Sequence, residues 1–189
     1  MDKIKDSPSK IMWLSIGASI LTIGLKGTAY FLTDSVGLLS DALESFINLA
    51  AGIVALIILV IAFRPADKEH PFGHHKAEYF SSVLEGTLIL LAAIAIGVTS
   101  VQRLLNPKEL EGLGIGLIIS AVASAINWLT ARILFKAAKK YNSITIEADA
   151  HHLMSDVYTT GGVIIGLILV TFTKLYWLDS VIAILVAIN

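Results

Sequence analysis

Apolar residues run along the chain in six stretches, at about 11–33, 36–63, 79–102, 112–135, 147–173 and 177–189, separated by short polar segments. Each of the first five holds the roughly 20 residues that a helix needs to cross a hydrocarbon core about 30 Å thick. The sixth, Trp177 to Asn189, has 13 residues, which make about 20 Å of helix at 1.5 Å per residue. The pattern predicts an all-α membrane protein, a six-transmembrane-helix bundle whose sixth helix is truncated at the chain end. That points to a longer protein whose next segment is cytoplasmic. Residues 1–10, MDKIKDSPSK, form a hydrophilic tail, and the apolar stretch behind them exceeds the roughly 7–15 residues of a signal-peptide core.

Polar residues inside these stretches carry the chemistry, because ionisable groups at membrane depth are costly and mark function by default. Glu44 and Asn48 interrupt the second stretch, and His152 and Asp156 the fifth. A spacing of four puts both members of a pair on one helix face, so two facing helices bring a carboxylate, an amide oxygen, an imidazole and a second carboxylate around one divalent cation. Two negative charges balance such a cation, and protons compete with it for the same lone pairs. Taken alone, His152 and Asp156 also fit a hydrogen-bonded couple that locks two helices; the second pair tips the reading toward a metal site.

Further polar positions have narrower readings. Asp41, three residues before Glu44, widens the site or fixes Lys26. Lys26, inside the first stretch, pairs with an acidic group such as Asp41 or Glu85, or reaches a water-filled cavity; pairing is favoured. Glu85 in the third stretch either joins an ion path or neutralises a neighbouring cation. Asp149, three residues before His152, is placed to orient that ring. His151 lies about 100° round the helix from His152 and reads as a polar residue at the helix start. Gly86, Gly97, Gly161, Gly162 and Gly166 read as close-packing positions between helices. In the loop RPADKEHPFGHHKAEYF, Asp67, His70 and His74 bring a carboxylate and two imidazoles within eight residues; an exposed, labile metal site and a solvated polar loop are equally open readings.

Composition agrees with the membrane reading: 56% of the 189 residues are hydrophobic and the mean hydropathy is +0.78, well beyond a soluble domain. The net charge of −1 says little, but its placement orients the chain. Of the 14 basic residues, Lys3, Lys5, Lys10, Arg64, Lys68, Lys76, Arg132, Lys136, Lys139 and Lys140 fall on one side, against Arg103, Lys108 and Lys174 on the other. Cytoplasmic flanks carry the excess, so both termini are expected in the cytoplasm. No basic stripe suggests nucleic acid. With no cysteine, any metal is held by oxygen and imidazole, which favours borderline or hard divalent ions over Cu(I).

Three segments in order resemble the cation diffusion facilitator family: GLLSDALESFINLAAG its second helix, PADKEHPFGHHKAE its loop signature, and ADAHHLMSDV its fifth helix. The likeness covers nearly the whole chain. It implies a proton-coupled exporter of divalent cations (Zn²⁺, Fe²⁺, Mn²⁺, Co²⁺ or Cd²⁺), working by alternating access in the bilayer. Residues 11–189 would be its transmembrane domain, and a C-terminal cytoplasmic domain that dimerises and senses metal would follow. The family's transport site maps onto Glu44, Asn48, His152 and Asp156, and the loop site of some members onto Asp67, His70 and His74. Most relatives place Asp or His first and Asp second in the second helix, where this chain has Glu44 and Asn48. The longer carboxylate and the neutral amide lower the ligand charge and shift the geometry, which leaves the metal preference open between a harder ion such as Mn²⁺ or Fe²⁺ and Zn²⁺. A homodimer in a bacterial inner (plasma) membrane is the expected setting. Two competing readings have less behind them. An intramembrane metalloprotease lacks a His-Glu-x-x-His motif and an open coordination position, and ATP-driven pumping lacks a phosphate-binding glycine loop. A membrane metal sensor or structural helix bundle that holds an ion without moving it is the remaining alternative.

Overall fold

The structure, a computed structural model, describes residues 8–62, 71, 77–141 and 144–188. These form six helices: α1 (Pro8–Thr33), α2 (Val36–Ala62), α3 (Ala77–Leu105), α4 (Leu113–Tyr141), α5 (Ile144–Thr173) and α6 (Trp177–Ile188). The predicted stretches match them, and the differences lie at helix ends. α1 begins at Pro8, whose missing N–H costs nothing in a first turn. α4 runs six residues past its apolar stretch to Tyr141, because Lys139 and Lys140 in its last turn complement the negative end of the helix dipole.

α1, α3, α4 and α5 are long and apolar enough to cross a membrane. α2 has 27 residues, about 40 Å of helix, and carries Asp41 and Glu44. Phe31, Phe172, Trp13 and Leu105 are 82%, 83%, 72% and 75% exposed, and α3 presents Phe80, Val83, Leu90, Leu91, Ile94 and Val98 outward. An apolar exterior of this kind is suited to lipid, not water. The protein is integral to a membrane.

α1, α2, α4 and α5 form a four-helix group in which α1 packs on α2 and α4, and α5 on α4 and α2. α3 and α6 pack on each other and on α2, and α6 also touches α5. The core of the four-helix group is layered. At one end Ile11, Leu134, Ala138, Ile146 and Leu153 cluster; at the other, Ala29, Leu38, Val163 and Leu167. Between these apolar plugs, with the apolar Ala18, Ile47 and Ala123 interspersed, lies a run of buried polar positions: Thr22 and Lys26 on α1, Asp41 and Ser45 on α2, Asn127 on α4, Asp156 and Thr160 on α5.

The connections that set this layering are tight. Asp34 (φ 53°) and Lys174 (φ 58°) end α1 and α5 in the left-handed conformation, and their N–H groups return to Tyr30 O and Val170 O at 2.8 Å each. This is the single-bond helix stop that glycine usually provides. Ser35 caps α2 by accepting from Leu38 N at 3.2 Å. Close packing is met at Gly166, where a Cβ would overlap Ile182 Cδ1 of α6. The same expectation fails at Gly86, Gly97, Gly161 and Gly162, where a Cβ would meet nothing within 4 Å. Gly116, which the pattern did not single out, does pack closely, its missing Cβ taken up by the Thr33 methyl.

Candidate metal centre

The polar layer is organised along the seam between α2 and α5, which run antiparallel. Going along α2, Asp41 meets Thr160 of α5 (2.9 and 3.1 Å), Glu44 meets Thr159 (3.5 Å), and Ser45 and Asn48 both meet Asp156 (3.2 and 3.4 Å). The offset follows from side-chain direction: helical side chains lean toward their own N-terminus. In an antiparallel pair Asp156 therefore reaches toward Asn48 and Glu44 reaches toward Thr159.

Three of the four candidate ligands from the sequence come together here. Asp156 is 6% exposed, accepting from Ser45 Oγ at Oδ2 and from Asn48 Nδ2 at Oδ1. Glu44 is half-buried and takes Thr159's hydroxyl on Oε1, while Oε2 is buried with no partner. His152 stands apart. It lies one turn from Asp156 on the same stripe of α5, but its side chain is exposed. Among the described residues no three of His, Cys, Asp or Glu converge closely enough to chelate a metal.

The auxiliary positions resolve as follows. Lys26 pairs with Asp41: Nζ lies 2.8 Å from Oδ1, with both side chains 1% exposed. The same ammonium donates to Ser45 Oγ at 2.8 Å. Of the two roles open to Asp41, it fixes Lys26. Asp149 is hydrogen-bonded to Ser15 of α1, with His152 nearby, and its Oδ2 is buried without a partner. His151 is exposed and meets Phe135 of α4 edge-on, ring centroids 5.0 Å apart. Asp67, His70 and His74 lie outside the described residues, as does the side chain of Glu85.

The sequence reasoning missed Ser45, Thr159 and Thr160, which supply the hydroxyls of the seam. The signal was present. Ser45 is four residues from Asp41, and Thr159 and Thr160 are three and four from Asp156, so one helical step onward from each of these acids would have found them. It also missed Asn127, a fully buried amide on α4 with neither Nδ2 nor Oδ1 bonded. With its carboxylates ionised, the seam sets one ammonium, Lys26, against three carboxylates, Asp41, Glu44 and Asp156, a formal charge of −2. In the low dielectric between packed helices that charge is a strong attractor for a divalent cation.

Residues 12–189 match the family model of the cation efflux transmembrane domain. The chain belongs to the cation diffusion facilitator family. The matched domain is that of cation efflux transporters. An uncharacterized transporter of Synechocystis sp. is 52% identical over 176 residues, which are 93% of this chain and 57% of that protein. The cation-efflux pump FieF of Shewanella oneidensis is 29% identical over 173 residues, 92% of this chain and 58% of the pump. FieF of Yersinia enterocolitica is 34% identical over 152 residues, 80% and 50% respectively. The chain thus spans between half and three-fifths of the length of these relatives.

Proposed function

We propose that the chain is the membrane part of a proton-coupled exporter of divalent metal cations, with Glu44, Asn48, His152 and Asp156 as its transport site. The observation that carries this is the bond from Asn48 Nδ2 to Asp156 Oδ1 across α2 and α5, which joins one member of each sequence pair in the polar middle layer. There the amide N–H occupies a carboxylate lone pair that a cation would use. Turning the amide over offers its oxygen to the ion instead. Glu44 would swing from Thr159 toward Asp156, and His152 would rotate in from its exposed position one turn away. Side-chain rotations of this kind need no change in the helix register. An ion released from these carboxylates and imidazole leaves lone pairs that take protons, which links efflux to a proton gradient.

Alternating access would follow from a polar layer sealed by an apolar plug at each end, each plug opening in turn. Six spans, cytoplasmic termini and a homodimer completed by a C-terminal domain belong to this reading, as does a feeding role for Asp67, His70 and His74. FieF is named as a cation-efflux pump, which supports a cation as the cargo; Fe²⁺, Zn²⁺ and Mn²⁺ are the ions to try first on donor chemistry, with Co²⁺ and Cd²⁺ beside them. The test is uptake of each ion into proteoliposomes carrying the full-length protein, with and without a pH gradient. Gradient-stimulated flux is the expected result. Ion binding with no flux, from inserted and folded protein, would replace the exporter with a static sensor.

A further inference from the structure

Lys26 does more than neutralise one acid. Its Nζ donates to Asp41 Oδ1 and to Ser45 Oγ, each at 2.8 Å. An ammonium has donors only, so the Ser45 oxygen must accept, and its own proton is directed at Asp156 Oδ2, 3.2 Å away. From the other side Thr160, one turn beyond Asp156 on α5, donates to both oxygens of Asp41. Asp41 and Asp156 are therefore linked through the Lys26 ammonium and the Ser45 hydroxyl, within a group in which Lys26, Asp41, Ser45 and Asp156 are 1%, 1%, 4% and 6% exposed. Asp41 has the chemistry of a ligand and lies on the same seam as Glu44 and Asp156, but the ammonium holds it.

We propose that Lys26 is a tethered cation that holds Asp41 as a third, withheld carboxylate, and so sets which divalent ions the site prefers. The inference rests on the transport-site reading above. With Lys26 in place the three carboxylates present a net −2 and only two are free to ligate, alongside an imidazole and an amide. That donor set suits a borderline ion such as Zn²⁺. Without the ammonium the charge becomes −3 and Asp41 is released. The site is then rich in hard oxygen donors, which suits ions of higher coordination number such as Mn²⁺. Lys26 acts through Asp41 and Ser45 and is a positioning residue, not a ligand. The charge arithmetic gives the two partners opposite signs. Losing Lys26 adds binding capacity, and losing Asp41 leaves an uncompensated ammonium that repels the ion. Losing both restores −2.

The experiment is equilibrium binding of Mn²⁺ and Zn²⁺ to the full-length protein in nanodiscs, counting only the component that Asp156→Ala removes. Lys26→Met and Lys26→Gln should each raise the Mn²⁺-to-Zn²⁺ affinity ratio about tenfold or more, and Asp41→Asn should weaken both ions about tenfold. The Lys26→Met/Asp41→Asn double variant should return both affinities to within about threefold of the parent, as should Lys26→Arg, which keeps the charge. A purely structural pair predicts instead that both single changes weaken binding together, and that result overturns the proposal, as does a double variant that fails to restore. If neither Lys26 variant folds, unchanged affinities in Asp41→Asn overturn it alone. No Asp156-dependent component at all would overturn the site reading and this inference with it; a component present with an unresponsive ratio overturns the inference only.

Discussion

Two buried carboxylates on facing helices, Asp179 and Asp156, are stabilised in ways that suit opposite purposes. Asp179 of α6 is fully buried and accepts from Val36 N at 2.8 Å, Gly37 N at 3.0 Å and Ser35 Oγ at 2.6 Å. Its partners are the orphan donors and cap of the α2 N-terminus, so it completes a helix that would otherwise end unsatisfied. Gly37 makes the approach possible, since a Cβ there would sit 3.0 Å from Asp179 Oδ1. Asp156 accepts instead from two side chains, Ser45 and Asn48, at 3.2 and 3.4 Å. Backbone donors cannot leave without uncapping a helix, whereas a hydroxyl and an amide can turn away and yield their place to a cation. On the proposed reading of the site, one carboxylate stays bonded and the other exchanges.

The comparison breaks most visibly at Asp179. Asp179→Ala should uncap α2 and leave buried donors unpaired, costing about 3–5 kcal/mol of stability. Thermal melts of detergent-solubilised protein would read this loss, with flux per folded molecule little changed. A variant that melts normally but fails to transport would put Asp179 among the working residues instead. Next in size, Asp156→Ala should cut metal flux by about 100-fold or more, a barrier change near 3 kcal/mol, while the melting temperature moves by only a few degrees. Wild-type flux in that variant would remove Asp156 from the site.

Smaller effects sharpen the contrast. Ser45→Ala removes the hydroxyl between Lys26 and Asp156. The apparent KM for metal should change by about three- to tenfold, for a stability cost of about 1 kcal/mol, the value of a single buried hydrogen bond; a KM that does not move would mean that Ser45 only packs. Smallest is Lys174→Gly. It relieves a left-handed non-glycine residue while keeping the N–H bond to Val170 O. A gain of about 0.5–1 kcal/mol is expected with unchanged flux, and a lower melting temperature would contradict the strain argument.

Much of this was legible along the chain. Helix positions followed from apolar run length, because a bilayer imposes a minimum span that composition cannot hide. The pairing of Lys26 with an acidic group followed from the cost of an isolated buried charge, although the choice between Asp41 and Glu85 did not. Glu44, Asn48, His152 and Asp156 stand out in the sequence as polar residues four apart in apolar runs, and three of them, Glu44, Asn48 and Asp156, lie along the α2–α5 seam. Ser45, Thr159 and Thr160 do not stand out, because hydroxyls are cheap to bury when they bond back to their own helix, so they raise no alarm in a sequence. The close-packing glycines were partly misjudged for a related reason: small residues permit close approach without requiring it, and only a neighbour such as Ile182 opposite Gly166 makes the permission count.

The sequence by itself therefore determined an all-helical membrane protein, its helix positions, and the stripes of α2 and α5 that bear ligand chemistry, since all of these depend on interactions within one helix or between a helix and its solvent. The tertiary structure decided everything that depends on register between helices. It set Asp156 opposite Asn48 while leaving His152 a turn away and exposed. It gave Lys26 to Asp41, and it brought Asp179 across 143 residues to cap α2. Registers are fixed by packing among side chains far apart in the chain, such as Leu38 with Val163 and Leu167, and no local periodicity encodes them.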